Sequence, residues 1–156
     1  MTEREWHRNQ AAGLFNQVWR LLEKKRRTQA EDDAMIHAAH ASRYHWSVVG
    51  RPIQLAIGEW QVSHVYAVLK RPEPSAYHAR RCLALCRENR IGDFPLAFAY
   101  EALARSAAIA GRPRDRDRFL RQARAAGAHI REGDDRNLFF SDLATIPGAR
   151  RAGSSP

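Results

Sequence analysis

Long apolar runs are missing from this 156-residue chain. No segment approaches the roughly 18 consecutive apolar residues that a bilayer-spanning helix requires. Met1 to Arg27 also intersperses charges too densely for the apolar stretch of a secretion signal. Both absences lead to the expectation of a soluble, cytoplasmic protein with no membrane partner. Cysteine is scarce as well. Cys82 and Cys86 are the only two, and they fall four residues apart in one helical pattern, where a disulfide would do little more than join consecutive turns. Buried reduced thiols are expected there. Sustained two-residue alternation is lacking, and the pair Val48-Val49 is too short to found a sheet. Neither a glycine-rich phosphate loop nor a nucleophile elbow occurs. Ser42, Ser63, Cys82 and Cys86 are all explained by close helix packing, so no nucleophile stands out for an enzyme.

What is present describes a single globular domain: 44% of the residues are hydrophobic and 28% charged. The net charge of +9 is spread along the chain, and 23 of the 26 basic residues are arginine. With abundant alanine, that bias resembles the residue usage of a GC-rich bacterial genome and singles out no acidic partner. The densest basic segment holds Arg112, Arg114, Arg116, Arg118, Arg121 and Arg124. Asp115 and Asp117 interrupt it, and its spacings distribute the cations around a helix. A solvated, salt-bridged face is therefore expected rather than a nucleic-acid site.

Helical periodicity runs almost throughout. Trp6, Leu14, Val18, Leu21 and Leu22 mark a first helix over 5–27, with Lys24-Lys25-Arg26-Arg27 at its negative end. Thr28 and Glu31 form a capping box for a second helix over 29–48. A third covers 52–70 and a fourth runs from Pro74 to about Asn89. A fifth, capped by Asp93, reaches Gly111. A sixth extends from Pro113 to near Arg131. Asp134 or Asp135 caps a short seventh helix that Pro147 and Gly148 stop. Residues 1–147 then form one domain, and 148–156 a loose tail.

The pattern repeats every 41 residues. Ala34, Ser75 and Arg116 correspond, as do Ala38, Ala79 and Leu120, and Ala41, Cys82 and Ala123. Ser63 falls against Ala104, Tyr66 against Ala107, and Arg71-Pro72 against Arg112-Pro113. Small residues at such places let helix backbones approach. Isolated hairpins cannot bury their apolar faces, so adjacent ones stack.

Ser63, Tyr66, Lys70, Ser75, Ala79 and Cys82 follow a progression that resembles the tetratricopeptide-repeat family, and so do Ala104, Ala107, Gly111, Arg116, Leu120 and Ala123. The resemblance covers about residues 14–131. Ala107 stands in the tyrosine slot, Arg116 in a small-residue slot, and the repeat exceeds the family's usual 34 or so residues. The resemblance implies an all-α fold: a right-handed α–α superhelix of about three stacked hairpins plus a short C-terminal capping helix. It implies a groove formed by the first helix of each pair, which selects Trp19, Glu23, Arg26, Trp60, His64, Glu101, Arg105 and Ala108. Trp19, Trp60 and Glu101 share one repeat slot; Glu23, His64 and Arg105 share another. An aromatic beside Arg and His suits an extended peptide or its terminal carboxylate. The expected role is a protein or peptide interaction module without a cofactor, able also to self-associate through an open end of the stack.

Histidine supplies the alternative. His37, His40, His64 and His78 lie on neighbouring helices of that stack, and their convergence would make a helical metal-binding protein or a metal-dependent hydrolase. No acidic residue sits at ligand spacing beside them, and His37-x-x-His40 lacks the glutamate of a zinc-protease helix. Hydrogen bonds to Tyr44, Tyr66 or Ser42 account for the same residues.

Overall fold

The computed structural model describes residues 1–149 and contains, among them, seven helices and no strand. These are α1 (Glu3–Leu22), α2 (Gln29–Val49), α3 (Pro52–Val68), α4 (Pro72–Glu88), α5 (Asp93–Ile109), α6 (Pro113–Gly127) and α7 (Gly133–Leu143). Three helical hairpins pack in sequence, α1 with α2, α3 with α4 and α5 with α6, and α7 closes on α5 and α6.

The repeat register is written into the helix ends. Pro52 and Val68 bound α3, and α5 begins and ends 41 residues later at Asp93 and Ile109. Both hairpin turns close alike: Arg71 N donates to the Tyr66 carbonyl at 2.8 Å and Arg112 N to the Ala107 carbonyl at 3.0 Å. Each needs a left-handed residue just before it, which is Lys70 (φ 59°) in one turn and Gly111 (φ 71°) in the other. The small repeat positions Ala38, Ser63, Ser75, Ala79, Cys82, Ala104, Ala107 and Ala123 are all buried. Ala34 is exposed instead, in line with the weaker pattern of the first hairpin.

Several boundaries differ from those expected. The first helix stops at Leu22, not Arg27, because Arg27 turns back to donate to the Leu21 and Lys24 carbonyls and pairs with Asp32 at 2.8 Å. The basic run is thus a connection, followed by the expected Thr28–Glu31 capping box. Pro72, not Pro74, opens α4; both prolines fit a first turn whose N–H groups have no helical acceptor. Asp93 begins α5 rather than preceding it, and Glu132 caps α7 by accepting from the Asp134 and Asp135 amides. The sixth helix ends at Gly127 and the seventh at Leu143. Packing continues past the expected domain limit through Ala149, which is buried and accepts a hydrogen bond from Arg124 at 3.1 Å. Residues 150–156 of the expected tail lie outside the described residues.

The core divides by hairpin. Val18, Met35, Val62 and Val65 join the first hairpin to α3. Trp60, Ala79, Cys82, Leu85, Ala99 and Leu103 join the second hairpin to α5. Leu120, Ile130, Phe139, Leu143 and Ile146 seat α7 on the third. Gly127 is required for that last contact, since a Cβ there would lie 2.4 Å from the Phe139 ring. Cys82 and Cys86 are free and buried, as their spacing implies.

Candidate functional site

Between α1, α3, α5 and α7 lies a cavity of about 350 Å³. Phe15 and Trp19 wall it from α1, Ile57 and Trp60 from α3, and Phe94 and Phe98 from α5. Leu138, Asp135 and Asp142 complete it from α7. The last three follow one another at spacings of three and four, so a single face of α7 forms the wall. Trp19 and Trp60 meet at a centroid distance of 5.5 Å, and Phe98 stands edge-on to Trp60 at 5.2 Å. Cys82 also touches the cavity. Its hydrogen bond with Cys86, reinforced by burial, pushes this thiol well above the ordinary range, so it remains protonated.

Trp60 is fixed from behind. Its Nε1 donates to Glu101 Oε2 at 3.1 Å, and Arg105 Nε donates to the other oxygen of that buried carboxylate at 2.7 Å. The Arg105 guanidinium also donates to the Asp142 carbonyl (3.1 Å) and to Thr145 Oγ1 (2.8 Å). His64 stacks on Trp60 at 5.1 Å. Burial, with Arg105 nearby, pushes its imidazole down to about 3, so it is neutral at physiological pH. Burial also raises the Asp142 carboxyl, helped by the Glu101 charge and opposed by Arg105.

The eight groove residues expected from the repeat therefore separate. Trp19, Trp60, His64, Glu101 and Arg105 gather at one site. Only the two tryptophans line the cavity; Glu101 and Arg105 position Trp60 and α7. Glu23 and Arg26 are exposed in the connection after α1, outside the cavity wall. Ala108 packs against the third-hairpin core. Ile57 and Phe98 were missed although they too stand 41 residues apart, one turn before Trp60 and Glu101. Asp135, Leu138 and Asp142 had no such signal, because α7 lies outside the repeat.

The histidines do not converge. His40 and His78 meet edge-on at 5.3 Å, where α2, α3 and α4 come together. Tyr66 shares a 2.8 Å hydrogen bond with His40 and stacks on His78. His78 Nδ1 donates to Glu59 Oε2 at 2.6 Å, and Arg43 pairs with the same carboxylate at 3.3 Å. Gly58 makes room for Arg43, whose Cδ would be 2.9 Å from a Cβ at that position. Burial, then the charge of His78, lowers the His40 imidazole below its usual range. His64 belongs to the tryptophan cavity instead, and His37 is exposed. Among the described residues no group of three or more His, Cys, Asp or Glu is arranged to hold a metal ion.

The arginine-rich helix α6 carries internal pairs, Arg116 with Asp117 at 2.9 Å and Arg118 with Asp115 at 3.5 Å. Among the described residues no helix is long and apolar enough to cross a membrane. Compared with known proteins, the chain matches no family model, no curated protein and no solved structure.

Proposed function

We propose that this chain is a small tetratricopeptide-like interaction module, a right-handed stack of three hairpins capped by α7, whose role is binding rather than turnover. Its ligand is a peptide segment of a partner protein that inserts one large apolar side chain between Trp19, Trp60, Phe98 and Leu138. The observation carrying this reading is the aromatic cavity itself. Its volume of about 350 Å³ suits a buried side chain with adjoining backbone, and rigid aromatic walls are the usual anchors of recognition. Two buried free thiols fit a reducing, cytoplasmic setting.

The test is selection from a random peptide library on wild-type protein, followed by binding to Leu138→Arg and Trp19→Ala. Leu138 is 57% exposed, so the arginine leaves the core intact while placing a bulky charge in the cavity mouth. Selected peptides should share an aromatic or long aliphatic anchor and lose at least about tenfold in affinity to each variant. Peptides bound equally by the wild type and both variants would overturn the assignment.

A further inference from the structure

The cavity carries a charge sign that opposes that of the whole chain. Lys and Arg outnumber Asp and Glu by 26 to 17, yet among the described residues the charged side chains lining the cavity are Asp135 and Asp142. They flank Leu138 on one face of α7, and Trp19 and Trp60 line the same cavity from α1 and α3. Aromatic faces and carboxylates both attract cations. Arg105, the group best placed by sequence to receive a carboxylate, is committed to Glu101, Thr145 and the Asp142 carbonyl. Among the described residues, the cavity wall thus presents an anion with no uncommitted cation and a cation with two carboxyl groups.

We infer that the segment received by this cavity is basic: an arginine or lysine follows the apolar anchor and pairs with Asp135 and Asp142 on the α7 wall. The inference rests on the peptide-binding reading above. It turns away from the terminal carboxylate that was one of the two ligands suggested by the repeat positions, the other being an extended peptide. The net charge of +9 repels a basic segment as a whole, so its attraction is confined to the two aspartates of the cavity wall and should strengthen relative to that repulsion as salt is raised only if the contact is direct.

Three blocked dipeptides separate the possibilities: acetyl-Phe-Arg-amide, its neutral citrulline isostere, and acetyl-Phe-Glu-amide. Each is titrated into wild-type protein and into Asp135→Asn/Asp142→Asn, with the indole N–H resonances as the reporter and thermal melting as the check on folding. The arginine peptide should bind the wild type about fivefold more tightly than the citrulline peptide, with the glutamate peptide weakest. In the double variant the arginine and citrulline peptides should become equal. Equal binding of those two by the wild type, or a preference that survives in the double variant, overturns the basic partner but leaves the apolar pocket standing. Failure of all three peptides to bind overturns both.

Discussion

Helix α3 presents two unlike faces. Glu59 and Tyr66 look into a polar seam with Arg43, His40 and His78, while Trp60 lines the aromatic cavity and His64 stacks on Trp60. Both regions are rich in residues that catch the eye in a sequence. They differ in what is left over. In the seam, the Glu59 carboxylate is shared by Arg43 and His78, and the Tyr66 hydroxyl is taken by His40. Polar pairs of this kind tie neighbouring helices together, although the buried Arg43 Nε is left without a hydrogen bond. Around the cavity, Glu101 and Arg105 are likewise paired, but among the described residues no side chain fills the aromatic cavity in front of them. The seam joins three helices through paired polar groups, and the open apolar surface is where the proposed peptide would seat.

The comparison breaks most severely at Arg105. Replacing it with alanine leaves the Glu101 carboxylate buried without its cation and removes the tie to Thr145. Chemical denaturation at neutral pH should show a loss of about 3–5 kcal/mol. A change below about 1 kcal/mol would mean that the pair does not hold the cavity together.

A smaller effect separates His64 from the seam histidines. Its imidazole titrates near 3 when folded, against an ordinary value of 6.5. Between those values the unfolded chain binds a proton that the folded chain refuses. Its contribution is therefore complete above about pH 6.5 and is lost as the pH falls toward 3. At pH 5 the cost should be about 1–2 kcal/mol relative to pH 7. His64→Phe, which keeps an aromatic against Trp60, should flatten that part of the stability profile. An unchanged slope between pH 7 and 5 would assign the acid sensitivity elsewhere.

Much of this was legible before the fold was known. The 41-residue register paired Lys70 with Gly111, both of which the structure places in the left-handed region, and made Trp19, Trp60 and Glu101 equivalent. The Thr28–Glu31 cap was readable because it is a local hydrogen-bond exchange. Two other features depend on contacts between elements. Arg27 ends α1 by reaching back across a connection, which helical periodicity does not encode. The α7 wall comes from a segment with no repeat partner. The grouping of His64 with His37, His40 and His78 failed for another reason. The repeat register and the adjacency of the helices brought the four together, whereas the helix face of His64 belongs with Trp60. The i,i+4 spacing of Glu101 and Arg105 was a visible sign that this arginine would be engaged within its own helix.

The smallest expected effect tests the register alone. Lys70 adopts φ 59° where its repeat equivalent is Gly111. Lys70→Gly should stabilise the protein by about 0.5–1 kcal/mol, because glycine reaches that conformation without steric cost. Thermal unfolding measures it, and a lowered midpoint would show that the lysine side chain contributes more than its backbone strain removes.

The contrast between seam and cavity is tested most directly by the indole N–H resonances of the four tryptophans during titration with a library-selected peptide. Trp19 and Trp60 should shift progressively to saturation, while Trp6 and Trp46, which are not in the cavity wall, stay in place. Shifts centred on the His40, Tyr66 and His78 side chains, with Trp19 and Trp60 unmoved, would contradict the account and make the polar seam the binding site.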